Sequence, residues 1–177
     1  MSNPEQHAPT QENLDKIKGL IHGIQMAMLT TQSEDGKDLH SRPMYTQSVE
    51  FDGKELWFFT RESSTKVHEI QTEKHVNVAY SDGSHNTFVS VSGRATLVKD
   101  QKKNEELWNP LLKAWFPKGV EDPELSLIKV AVDGVEYWDQ PNSKMVQLYS
   151  YVKAKVTGET YQPTEDQNKK VDVSGKQ

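Results

Sequence analysis

A cation on a strand, followed by hydroxyls and a lysine at a helix start, is an anion-binding combination, and this sequence contains one. Arg42 lies in the alternating stretch His40–Phe51, and Thr60-Arg61-Glu62-Ser63-Ser64-Thr65-Lys66 follows the next strand at the head of a short helix. A helix start presents unpaired N–H groups and the positive end of the backbone dipole. Ser64, Thr65 and Lys66 on that turn make a phosphate cradle, and an arginine from the neighbouring strand adds a planar two-pronged donor. Residue types alone leave a plainer reading open: the serines cap the helix, as helix starts favour, while Arg42 and Lys66 point into water.

Other chemistries find less support. The six histidines show no HxH or HxxxH pairing and there is no cysteine, so no metal site, disulfide, thiol nucleophile or iron–sulfur cluster is expected. His40, two residues from Arg42, is the histidine to watch as a substrate-pocket residue, with plain surface exposure as the alternative. Ser90 and Ser92 alternate on one strand without a His–Asp partner pattern. Lys102-Lys103 and Lys169-Lys170 read as solvated faces. No GxGxxG or Walker pattern occurs. No residue is assigned a catalytic role.

The elements that must position the cradle are mostly strands. Thr10 is placed to cap a helix carrying Leu14, Ile17, Ile21 and Ile24 at helical spacing. Met26–Gln32 is a short strand, and in His40–Phe51 the residues Arg42, Met44, Thr46 and Ser48 share one face, Pro43, Tyr45, Val49 and Phe51 the other. Pro43 places that end at an edge or bulge. Asp52-Gly53 is a two-residue hairpin signal before the strand Glu55–Thr60. A short helix then runs from Ser63 or Ser64 to about Glu73. Strands follow at Val76–Tyr80 and Thr87–Val98, the latter bending at Gly93. Asp100 caps a helix containing Leu107 and Trp108, and Leu111–Phe116 is a second helical piece. Leu125–Trp138 is a strand with a break allowed at Gly134, and Met145 to about Val156 reads as a helix. The short first hairpin excludes a parallel crossover, so the fold class is mainly β with peripheral helices: a six-stranded antiparallel barrel, closed or partly closed.

With 177 residues, one domain is expected: a flexible N-terminal arm over 1–10, a folded domain over 11–158 and a polar C-terminal tail over 159–177, left unstructured. Net charge is −5, so the chain exerts no long-range pull on nucleic acid. No apolar run approaches a membrane span and no signal peptide is evident. A cytoplasmic location is expected.

In order and spacing, Arg42-Pro43-Met44-Tyr45-Thr46, Trp57-Phe58-Phe59-Thr60, Ser64-Thr65-Lys66 and Glu136-Tyr137-Trp138 resemble the pyridoxamine-phosphate-oxidase-like FMN-binding split barrels. More narrowly, the chain resembles their bacterial general stress protein branch, over about Leu14 to Val156. The resemblance implies that Arg42 grips the FMN phosphate, and that Met44, Tyr45 and Thr46 lie along the flavin ring, chiefly through backbone groups. It places Phe59 and Thr60 just before the phosphate helix. Lys66 matches the family lysine, while Thr65 stands where the true oxidases carry arginine, with the Ser64 and Thr65 hydroxyls as substitutes. It also implies a homodimer with FMN in the groove between chains, where Trp138 reaches the flavin held mainly by the other chain.

Departures bear on the reaction. The true oxidases handle their substrate phosphate with arginine and histidine after that tryptophan, where this chain has Gln140-Pro141-Asn142-Ser143-Lys144-Met145. Phe88 stands where they place a flavin-contacting glutamine, and Gln47 where the flavin-lining segment ends in lysine. Vitamin B6 synthesis is therefore disfavoured. The expected function is a flavin-dependent oxidoreductase acting on a small molecule, the alternative being a flavin store without turnover. The Thr65 substitution leaves open a barrel with a vacant site or a different ligand, such as haem or a deazaflavin. Trp108, Trp115 and Phe116 wall the ring or, as aromatics commonly do, pack a core or an interface.

Overall fold

A computed structural model describes residues 6–7, 10–47, 53–139 and 168–173. After the two-residue strand β1 (Gln6–His7), helix α1 (Gln11–Ile24) starts where the Thr10 side chain accepts the Asn13 N–H at 3.2 Å. Its Ile17 and Ile21 are buried, whereas Gly19 and Gly23 meet nothing nearby. Docking of one apolar face thus offsets the weak helix propensity of the glycines.

The strands are β2 (Met26–Gln32), β3 (Leu39–Tyr45), β4 (Glu55–Arg61), β5 (His75–Asp82), β6 (Thr87–Val98), β7 (Leu125–Asp139) and β8 (Asn168–Asp172), with helices α2 (Thr65–Thr72) and α3 (Gln101–Leu107) between them. They form one sheet in the order β1-β8-β7-β6-β5-β2-β3, antiparallel except for β1 on β8, and β4 pairs with β7 off that path. Strand β7 is long enough to carry β4 along residues 125–131 and β8 along 134–138. Period-two alternation decides what faces the core. On β2, Ala27 and Leu29 are buried while Met26 and Met28 are exposed. Leu29, Leu56, Phe58, Val78, Val91, Ile128 and Val130 fill the interior, and α1 lies over it. A second cluster packs Phe59, Phe116, Leu125 and Leu127 against Trp108.

Several expectations change in detail. The polar tail is not unstructured throughout: β8 pairs with β7 and buries Val171 completely. Part of the N-terminal arm pairs with β8 in turn. Residues Pro110–Ala114 form a 3-10 helix, and β7 runs through Gly134 without a break. The expected helix at 145–156 lies outside the described residues, as does Asp52 of the hairpin signal; Gly53 has φ +87°. Among the described residues the sheet has eight strands and no ladder closes it, so the six-stranded barrel is seen only as a mainly antiparallel sheet with three α-helices.

Gly93 sits at a register shift between β6 and β7. A Cβ there would lie 2.4 Å from the Ala131 carbonyl oxygen and 2.8 Å from Val130. Gly93→Ala should therefore destabilise the fold by about 1–3 kcal/mol, the range for overpacking a filled interior. An unchanged urea midpoint would contradict that packing.

Candidate functional site

Among the described residues strand β3 has only β2 as a ladder neighbour, in keeping with Pro43 at an edge. Its register brings Arg42 opposite Leu29 and His40 opposite Thr31, so His40, Arg42, Met44 and Thr46 share the inward side. Helix α2 packs over this end and turns Val67, Glu69 and Ile70 inward. The result is a cluster around one carboxylate. Glu69 is 1% exposed, and its Oε1 accepts from His40 Nδ1 at 2.6 Å. Its Oε2 accepts from Arg42 Nη2 at 2.9 Å and from the Thr31 hydroxyl, which itself accepts from Arg42 Nη1. Burial pushes the Glu69 carboxyl up, but the hydrogen bonds from Thr31 and His40 and the charge of Arg42 outweigh it and hold the group ionised, below the usual carboxylate range.

Lys66 stands one helical turn before Glu69. Its ammonium donates to the Ser64 hydroxyl at 3.1 Å, and Ser64 lies 3.2 Å from the Thr60 hydroxyl. Among the described residues it has no carboxylate partner within ion-pair distance. Burial and then the nearby Arg42 charge push its pKa down, with Glu69 opposing. The two cations therefore share one neighbourhood. Ser64 occupies the cap position of α2, yet its hydroxyl makes no cap hydrogen bond and donates instead to the Arg61 carbonyl at 2.7 Å. Ser63 is tied to Glu124. The plainer reading, with the serines as caps and both cations in water, does not describe this arrangement.

The structure brings Arg42, Thr60, Ser64 and Lys66 to one end of the sheet; Thr65, also there, is exposed. Met44 is buried in the core, Thr46 is held 2.9 Å from the Tyr80 hydroxyl, and Tyr45 points outward, donating to Gln25 at 2.6 Å. Burial raises the Tyr80 phenol well above its ordinary value, so it stays neutral. Phe59 is buried in the second cluster, edge-on to Trp108 with ring centres 6.0 Å apart, and Phe116 packs beside it. Those rings are packing residues, whereas Trp115 is exposed. Trp138 is not near Arg42 in the chain's own sheet: it lies opposite Phe88, and the order β7-β6-β5-β2-β3 separates the two strands.

Sequence reasoning missed Glu69 and Thr31. The available signal was an acid lodged between Val67 and Ile70, on the face of α2 that its apolar residues turn inward. A cavity of about 450 Å³ opens elsewhere, between the end of α1, β2 and β5, and none of the cradle residues lines it. No helix among the described residues is long and apolar enough to cross a membrane.

Comparison with known proteins agrees with this architecture. Protein bli-3 of Neurospora crassa is 25% identical over 165 residues, which cover 89% of this chain and 79% of the relative. The crystal structure of the general stress FMN/FAD binding protein from Xanthomonas citri is 30% identical, with TM-score 0.66 over 76% of this chain and 93% of that one. The General Stress Protein 26 from Bacillus anthracis str. Sterne is 27% identical, with TM-score 0.60 over 71% and 95% of the two chains. Residues 12–162 match the family described as Pyridoxamine 5'-phosphate oxidase like, and the chain belongs to it.

Proposed function

We propose that this chain, as a member of that family, binds FMN by its phosphate at the Arg42–Lys66 site and serves as a flavin-dependent oxidoreductase for a small molecule in the cytoplasm. The observation that carries this is the meeting of two cations at the start of α2, one of them without a carboxylate partner among the described residues. The donor set suits a phosphoryl ester: a guanidinium with N–H groups to spare, an ammonium, and the hydroxyls of Thr60, Ser64 and Thr65. Opposite Thr60 in the β4–β7 register, the buried Ser126 hydroxyl has no partner among the described residues, a further donor beside the cradle. A metal or a haem would call for a different donor set.

The remaining assignments follow from position. Along the edge of β3 that has no ladder partner among the described residues, Met44, Tyr45 and Thr46 lie along the flavin ring through the backbone groups left free there, the Thr46 N–H being bonded to the Gln25 carbonyl, while their side chains hold the strand in place. The Gln47 N–H donates to the Trp57 carbonyl at 2.9 Å. Pairing continued from there between β3 and β4 would close a six-stranded split barrel, β2-β3-β4-β7-β6-β5. Tyr45, Met26, Met28 and Phe88 are exposed on the outer face of the sheet, and a second copy covering them would complete a homodimer and bring Trp138 to the partner's flavin. Bound flavin supplies a ring that accepts a hydride or electrons; the chain holds and orients it.

Protein purified with added FMN should stay yellow on desalting and sediment as a dimer at micromolar concentration. A colourless monomer would contradict both parts of the proposal. Reduction by a nicotinamide donor with substrate-dependent reoxidation, faster than free flavin allows, separates an enzyme from a flavin store.

A further inference from the structure

We propose that Glu69 is the positioning residue of the anion site, fixing the Arg42 guanidinium so that its remaining N–H groups meet a phosphoryl ester. The proposal rests on the proposed role of this site in holding FMN by its phosphate. Both terminal nitrogens of Arg42 are tied down, Nη2 to Glu69 and Nη1 to Thr31, and Thr31 is itself held by Glu69. Two bonds to fixed acceptors set the plane of a guanidinium. Of its five N–H groups, Nε–H and one on each terminal nitrogen are not used by these bonds. The Arg42 side chain is 20% exposed, so its end borders solvent while the carboxylate that steers it does not.

A buried ion pair is a poor source of net stability, because desolvation offsets the attraction. An orienting role accounts for it better here. Glu69 spends its other oxygen on His40, which keeps the carboxylate from swinging away from Arg42. The charges also fit: one buried anion against Arg42 and Lys66 leaves a net positive site, so a dianion is still attracted. Without the carboxylate, two neighbouring cations would repel each other and the guanidinium could turn freely.

The test compares FMN with riboflavin, which lacks the phosphate, on Glu69→Gln and on Thr31→Val, by fluorescence titration. Glu69→Gln should lose about tenfold in FMN affinity, the worth of one oriented hydrogen bond to a charged group, with riboflavin affinity unchanged. Thr31→Val should shift the same ratio in the same direction by a smaller factor, and it remains informative should Glu69→Gln fail to fold. Gly93→Ala serves as a destabilised control whose ratio stays at the wild-type value. Equal losses for both ligands would reduce Glu69 to a structural part, and tighter FMN binding by Glu69→Gln would make it a competitor for Arg42; either overturns the proposal. Wild-type protein that does not distinguish the two ligands would instead remove the FMN reading itself, and the proposal with it.

Discussion

Arg42→Ala should weaken FMN binding by about 1.5–3 kcal/mol, roughly 10- to 150-fold, the range for hydrogen bonds to a charged partner. Position underlies the size of the effect. The guanidinium is partly shielded from water, where charge-assisted hydrogen bonds gain strength, and it is directed by Glu69 and Thr31. Lys66→Ala should act in the same direction. Lys66 also gives the binding a pH dependence of definite sign. Burial and Arg42 depress its pKa below the ordinary value of 10.5, so it loses its proton sooner than an exposed lysine. FMN affinity should therefore fall as alkaline pH is approached, and the fall should vanish in Lys66→Ala. A titration of affinity against pH in both proteins checks it.

The second large effect is on stability. Glu69→Ala removes the carboxylate that Arg42, Thr31 and His40 share. It leaves a partly buried cation uncompensated, at a cost of about 3–5 kcal/mol. For a chain of this size that corresponds to a fall of roughly 6–20 °C in Tm. The acid limb of the stability curve should change as well. The Glu69 carboxyl is held below its ordinary value of 4.5 in the folded state. Its ionised form therefore stabilises the fold above that value, and the contribution is lost as pH falls through the folded pKa. Asp35, Glu73, Asp82 and Glu124 are depressed too, so wild type loses stability in acid through several groups. Glu69→Gln should show a shallower decline between neutral pH and pH 3 or so. Parallel declines in wild type and variant would contradict the assignment of this carboxylate as ionised and buried.

Much of the frame was legible because it depends on local periodicity. Alternation along Thr87–Val98 gave that strand its full length, and parity put Arg42 on one face with Met44 and Thr46, although only the folded sheet shows that this face turns inward. Thr10 and Asp100 cap their helices as their residue types imply. The site's organisation was not local. Glu69 meets His40 and Arg42 from 29 and 27 residues away, a pairing that no spacing rule encodes. Strand β8 escaped notice because Asn-Lys-Lys-Val-Asp contains one apolar residue, too few to show a period; its order comes from the edge of β7 and from burial of Val171. Ser64 has the residue type of a cap, yet its hydroxyl turns back to the Arg61 carbonyl, which only the folded turn reveals.

The side-by-side dissociation constants of FMN and riboflavin for the wild-type protein test the central claim most directly. A phosphate held by Arg42 and Lys66 predicts FMN at least tenfold tighter, with the gap closing in the Arg42→Ala, Lys66→Ala double variant. Equal affinity for the two ligands in the wild type would contradict it.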